Sequence, residues 1–104
     1  MVYFVGAGTG AVDLITVRGM RLLEDADVII YAGSLVNAEL LEYAKAECEI
    51  YNSAKMTLDE VIEVMKQAQA EEKMLVRLHT GDPSIYGAIR EQMDALDTAG
   101  IEYE

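Results

Sequence analysis

The stretch Met74-Leu75-Val76-Arg77-Leu78-His79-Thr80-Gly81-Asp82-Pro83-Ser84-Ile85-Tyr86-Gly87-Ala88 decides the fold. Met74 to Leu78 is a short apolar run that reads as a buried strand. Gly81-Asp82-Pro83 is a turn. Glycine allows close backbone approach, Pro83 fixes φ and removes a donor, and Asp82 places an anion beside them. Beyond the turn, Ile85, Ile89, Met93 and Leu96 recur at helical spacing, and Gly100 stands where a helix stop is expected. Strand, turn and helix in this order make a βα unit. In a parallel sheet, ligands bind at the carboxyl end of such a strand, beside the helix N-terminus.

Working outward, the same alternation repeats. Val2-Tyr3-Phe4-Val5 reads as a strand that runs into the glycine-rich turn Gly6-Ala7-Gly8-Thr9-Gly10. Thr16 can cap a helix that places Val17, Met20 and Leu23 on one face. Val28 to Tyr31 is a β-branched second strand closed by Ala32-Gly33-Ser34. Asn37 can cap a short helix with Leu40, Leu41 and Ala44 inward, and Glu49-Ile50-Tyr51 is a brief third strand. Thr57-Leu58-Asp59-Glu60 has the capping-box pattern, followed by Leu58, Val61, Ile62, Met65 and Ala68 on one helical face. Asp59, Glu63, Lys66 and Gln67 take the other face. Ile101 to Tyr103 begins one more strand-like run. The expected fold class is α/β, a parallel sheet with helices on both faces.

At 104 residues, with 52% apolar and 26% charged residues, the chain suffices for one globular domain. The net charge of −11 opposes binding to nucleic acid, whose phosphates it would repel; it serves solubility instead. No apolar stretch approaches the roughly 20 residues of a bilayer span, and no signal-peptide pattern is present. A cytoplasmic location is therefore expected. Cys48 is the single cysteine, so no internal disulfide can form, and its neighbours Glu47 and Glu49 disfavour a thiolate. With one histidine and one cysteine there is no Cys/His cluster, so no zinc site is expected.

The two glycine-rich turns are the candidate site. Gly6, Gly8 and Gly10 lack the complete dinucleotide fingerprint, and their spacing also suits a tight strand-to-loop turn that needs positive φ. Asp82 can meet a ligand or merely cap its turn, and Tyr86 can offer its hydroxyl or simply pack. Ser34 can line the same crevice or open a helix. His79 sits at the strand end, where proton transfer and a structural role are both open.

Taken together, Val5-Gly6-Ala7-Gly8, Asp13-Leu14-Ile15-Thr16, Ala26-Asp27-Val28 and Gly81-Asp82-Pro83-Ser84-Ile85-Tyr86-Gly87 resemble the N-terminal domain of the tetrapyrrole methyltransferases. The resemblance extends over essentially all of the chain. Tyr31 to Val36, Asn52-Ser53-Ala54 and Met56-Thr57-Leu58 are most similar to the branch that methylates carbon 11 of precorrin-4 or cobalt-precorrin-4 in cobalamin (vitamin B12) biosynthesis. The family usually has proline where Thr9 and Val12 stand, and losing both is expected to make the first loop less rigid. The resemblance implies S-adenosylmethionine as methyl donor, bound by Gly81, Asp82, Ile85 and Tyr86, and a tetrapyrrole bordered by Gly6, Gly8, Thr9, Gly10 and Ser34. It also implies a second domain beyond residues 1–104. This piece is then expected to turn over poorly alone and to self-associate through exposed sheet edge and apolar surface, as a homo-oligomer. A non-catalytic ligand-binding or partner-binding module is the alternative. A flavodoxin-like nucleotide domain is weakened by the missing fingerprints.

Overall fold

In the computed structural model the described residues are 1–6, 17–31, 38–79 and 86–104, with the side chains of 38–40 and 86–88 outside that description. Four strands form one parallel sheet: β1 (Val2–Gly6), β2 (Val28–Tyr31), β3 (Glu49–Asn52) and β4 (Leu75–His79). Their order is β1-β4-β2-β3, so the last strand in sequence is inserted between the first two. Val2 to Gly6 pair in register with Leu75 to His79, and Leu75 to Leu78 pair on their other side with Val28 to Tyr31. Both edges of β4 are thereby occupied and helices cover both faces, so Leu75 to Leu78 are all buried, Arg77 included.

The helices are α1 (Val17–Asp25), α2 (Leu58–Ala70) and α3 (Tyr86–Ala99), with a 3₁₀ segment over Ala38–Tyr43 and a 3₁₀ turn over Ser53–Lys55. On one face of the sheet Val5, Ile29, Val76 and Leu78 cluster with Leu23 of α1, and Leu41 and Ala44 pack against them. On the other face Val2, Val28, Ile30 and Leu75 meet Val61, Ile62, Met65 and Ala68 of α2 and Leu96 of α3. Helices thus cover both faces, as the alternating pattern implies. Ile89, at the start of α3, joins the first cluster.

Two helical faces differ from their sequence reading. Val17 is 63% exposed, whereas Gly19 and Leu23 are the buried residues of α1. Each i+3 step falls about 60° short of a full turn, so two such steps carry Leu23 about 120° away from Val17. Leu58 is likewise exposed, at the first position of α2, while Val61, Ile62, Met65 and Ala68 are buried as expected. The segment read as a short helix is 3₁₀ rather than α; Asn37, its expected cap, lies outside the described residues.

Helix ends follow local chemistry. The Thr57 hydroxyl accepts from the Glu60 N–H at 3.1 Å, and the Glu60 carboxylate accepts from the Thr57 N–H at 3.0 Å, completing the capping box. At the end of α3, Gly100 adopts φ +74°, the Ile101 N–H donates to Leu96 O and the Gly100 N–H to Asp97 O. This is a Schellman stop. The end of α2 repeats it without glycine: Glu72 has φ 58°, the Lys73 N–H donates to Ala68 O and the Glu72 N–H to Gln69 O.

The amino ends of the strands are tied by Asp27. Its carboxylate accepts from Lys45 Nζ at 2.7 Å and from the Met74 N–H at 2.9 Å, linking β2 to the start of β4. The Lys45 hydrogen bond, then that of Met74, holds the Asp27 carboxyl below the usual carboxylate range. Ile101 to Glu104 runs along the free edge of β1. Tyr103 bridges Val2 in parallel, and the Phe4 N–H donates to Glu104 O at 2.8 Å.

Glu72→Gly should stabilise the protein by about 1 kcal/mol, because a left-handed non-glycine residue carries that strain; urea unfolding at neutral pH measures it. Asp27→Asn should cost about 1 kcal/mol at neutral pH, a modest figure because the pair is partly exposed. The wild-type advantage is complete above the ordinary carboxylate pKa of about 3.9 and fades as pH falls below it toward the lower folded value. Unfolding curves of both proteins down the acid range should therefore converge.

Candidate functional site

The strand order creates a crevice at one place. β1 and β4 are neighbours, yet the chain leaves β1 toward α1 on one face and leaves β4 toward α3, which reaches the first cluster with Ile89 at its start and packs through Leu96 on the other face. Adjacent parallel strands whose connections depart to opposite faces define a topological switch point, the usual ligand crevice of open α/β sheets. Its described floor is Gly6, the last residue of β1, paired with His79, the last residue of β4. Tyr31 ends β2 beside Leu78, so the segment that carries Ser34 leaves from the same side.

Gly6 is not in the left-handed region; among the described residues the glycine with positive φ is Gly100. The backbone-strain explanation for Gly6 therefore does not hold. A Cβ placed there would lie 3.8 Å from His79 Cε1, ordinary van der Waals contact, so an alanine side chain fits. Glycine there leaves the main chain uncovered by a side chain beside the His79 ring. Gly6 also lines a cavity of ≈ 280 Å³, together with Tyr3, Phe4 and Val5 of β1, Arg18, Gly19 and Leu22 of α1, and Glu104.

Gly8, Thr9, Gly10, Ser34, Gly81, Asp82 and Ile85 lie outside the described residues. Tyr86 is the first residue of α3, and its side chain is outside the description. The described strand ends bring together the points from which these loops depart: Gly6 and His79 are direct partners, and Tyr31 is one strand further along.

Sequence reading overlooked Arg77 and Gln92. Arg77 is 3% exposed within the apolar run of β4, and Gln92 is 5% exposed on the inner side of α3. Arg77 Nε donates to Gln92 Oε1 at 3.0 Å, and its NH1 donates to Leu78 O at 3.1 Å and to Ile30 O at 3.4 Å. Burial pushes the pKa of the Arg77 guanidinium down to about 10, which still leaves it protonated at neutral pH. The signal was present: a charge inside a strand, and Gln92 falling between Ile89 and Leu96 on the apolar face of α3. Cys48 is half-buried, and burial raises its thiol pKa, which disfavours the thiolate. Among the described residues, no group of three or more His, Cys, Asp or Glu is arranged to hold a metal. No helix among them is long and apolar enough to cross a membrane.

The profile of the Tetrapyrrole (Corrin/Porphyrin) Methylases matches residues 1–104. The chain belongs to this family. It is 61% identical over 103 residues to the cobalt-precorrin-4 C(11)-methyltransferase of Methanocaldococcus jannaschii, a match covering 99% of this chain and 40% of that protein. The corresponding enzyme of Priestia megaterium is 48% identical, over 98% of this chain and 40% of that one. Among solved structures, a cobalt precorrin-4 methyltransferase described as a cobalamin biosynthetic enzyme superposes with a TM-score of 0.91 at 48% identity, covering 99% of this chain and 43% of its own. Uroporphyrin-III C-methyl transferase from Thermus thermophilus, complexed with S-adenyl homocysteine, superposes at 0.79 with 32% identity, covering 99% of this chain and 42% of that one. The chain thus spans about 40% of the length of the curated relatives it matches.

Because alanine fits at Gly6, Gly6→Ala should fold with stability within about 1 kcal/mol of wild type. Thermal unfolding of the two proteins checks this, and it makes the variant a clean probe of ligand approach.

Proposed function

We propose that this chain is the N-terminal domain of an S-adenosylmethionine-dependent methyltransferase acting on carbon 11 of precorrin-4 or cobalt-precorrin-4 in cobalamin biosynthesis. The observation that carries the reading is the switch point between β1 and β4, whose two departing loops hold the glycine-rich turns. Relatives named for this reaction match the chain along nearly its whole length, which supports the substrate class. The neighbouring structure complexed with S-adenyl homocysteine supports the donor.

In this reading Gly81, Asp82, Ile85 and Tyr86 bind S-adenosylmethionine. Backbone groups at Gly81 and Asp82 meet the polar methionine portion, and the Asp82 carboxylate suits a ligand bearing both an ammonium and a sulfonium. Gly6, Gly8, Thr9, Gly10 and Ser34 border the tetrapyrrole. The absence of a side chain at Gly6 lets a ligand meet main chain there without a Cβ in between. The bound donor would supply an activated methyl group: a nucleophilic ring carbon attacks it, the methyl–sulfur bond breaks with its electron pair left on sulfur, and S-adenosylhomocysteine departs as a neutral thioether. The protein's share is alignment of donor and acceptor and exclusion of water, which requires no nucleophilic side chain. A second domain completes the cleft, so residues 1–104 alone turn over poorly.

Titration calorimetry with S-adenosylhomocysteine should show binding to this chain that strengthens when it is extended to the length of its relatives. In the extended protein, Asp82→Ala should weaken binding about tenfold or more, the loss of a charge-assisted contact. Mass spectrometry of cobalt-precorrin-4 incubated with the extended protein and S-adenosylmethionine should register one added methyl group, and Gly6→Ala should reduce that rate. Donor binding without any methyl transfer would favour the non-catalytic module instead.

A further inference from the structure

We infer that Arg77 and Gln92 are positioning residues that fix the end of β4 against α3, the two elements that flank residues 80–85. The inference deepens the proposed function, because it rests on residues 80–85 carrying Gly81 and Asp82. A buried guanidinium is costly, and an apolar pair of equal volume would serve stability as well or better. Among the described residues no carboxylate lies within ion-pair distance of Arg77; its described partners are an amide side chain and two main-chain carbonyls. Those partners belong to three elements. Gln92 is on α3, Ile30 is in β2, and Leu78 is the next-to-last residue of β4. A planar group with donors in a fixed fork is directional, so all three elements are held in one relative placement. The end of β4 and the first turns of α3 are the two anchors of residues 80–85. Fixing one anchor against the other fixes the span that the turn must bridge.

The test is hydrogen exchange read by mass spectrometry on this chain, with Gln92→Met, Gln92→Glu and Leu96→Ala. Gln92→Met removes the acceptor but keeps bulk and helix propensity, and should raise exchange across residues 80–92 by at least about tenfold while α2 keeps its protection. Gln92→Glu retains an acceptor for Arg77 Nε and should restore protection in 80–92. Leu96→Ala destabilises the same helix through the core, and should raise exchange in α2 as well as α3. A rise in Gln92→Met that is absent, or spread evenly over α2 and α3, overturns the inference. So does failure of Gln92→Glu to restore protection. A separate arm adds S-adenosylhomocysteine to wild type: no added protection in 80–92 counts against the donor-binding reading, while the positioning role stands or falls on the ligand-free exchange alone.

Discussion

The pairing of β4 on both edges is the constraint on which everything else depends. Leu75 to Leu78 hydrogen-bonds to β1 on one side and to β2 on the other, so β1 and β2 stand one strand apart with β4 filling the gap. Because the gap must be filled from the far side of the sheet, the chain crosses one face with α1 and returns over the other with α2. Leu75, Val76 and Leu78 are fully buried for the same reason, each pressed between the sheet and a helical layer.

The insertion also locates the crevice. Had β4 added at the outer edge of β3, its carboxyl end would stand three strands from Gly6. Inserted beside β1, it brings His79 into register with Gly6, and the two glycine-rich segments depart from adjacent positions. Asp27 secures the opposite end of the sheet, where its carboxylate joins Lys45 to the Met74 amide. Arg77 and Gln92 secure the end near the crevice. One end is thus tied through a partly exposed ion pair and the other through a buried fork of hydrogen bonds.

Legibility in the sequence varied with how local the cause was. The α2 start was readable because Thr57 and Glu60 satisfy each other's backbone N–H within one turn. The α3 stop was readable because Gly100 costs nothing at φ +74°. The α2 stop was not, because Glu72 adopts the same conformation at a cost that surrounding structure imposes. Val17 and Leu58 misled because an apolar residue at the first position of a helix can still face solvent. Arg77 and Gln92 escaped notice because each looks like a solvated residue until β4 is known to be central.

Side-chain periods of 2 and 3.6 depend on neighbours a few residues away, and so the sequence by itself determined the α/β class, the alternation of elements, and the residues that bear the family resemblance. Strand order depends on contacts between segments tens of residues apart, which no local period encodes. Only the tertiary structure decided that β4 lies beside β1, that Gly6 faces His79, and that a guanidinium in an apolar strand finds its acceptors on β2, β4 and α3.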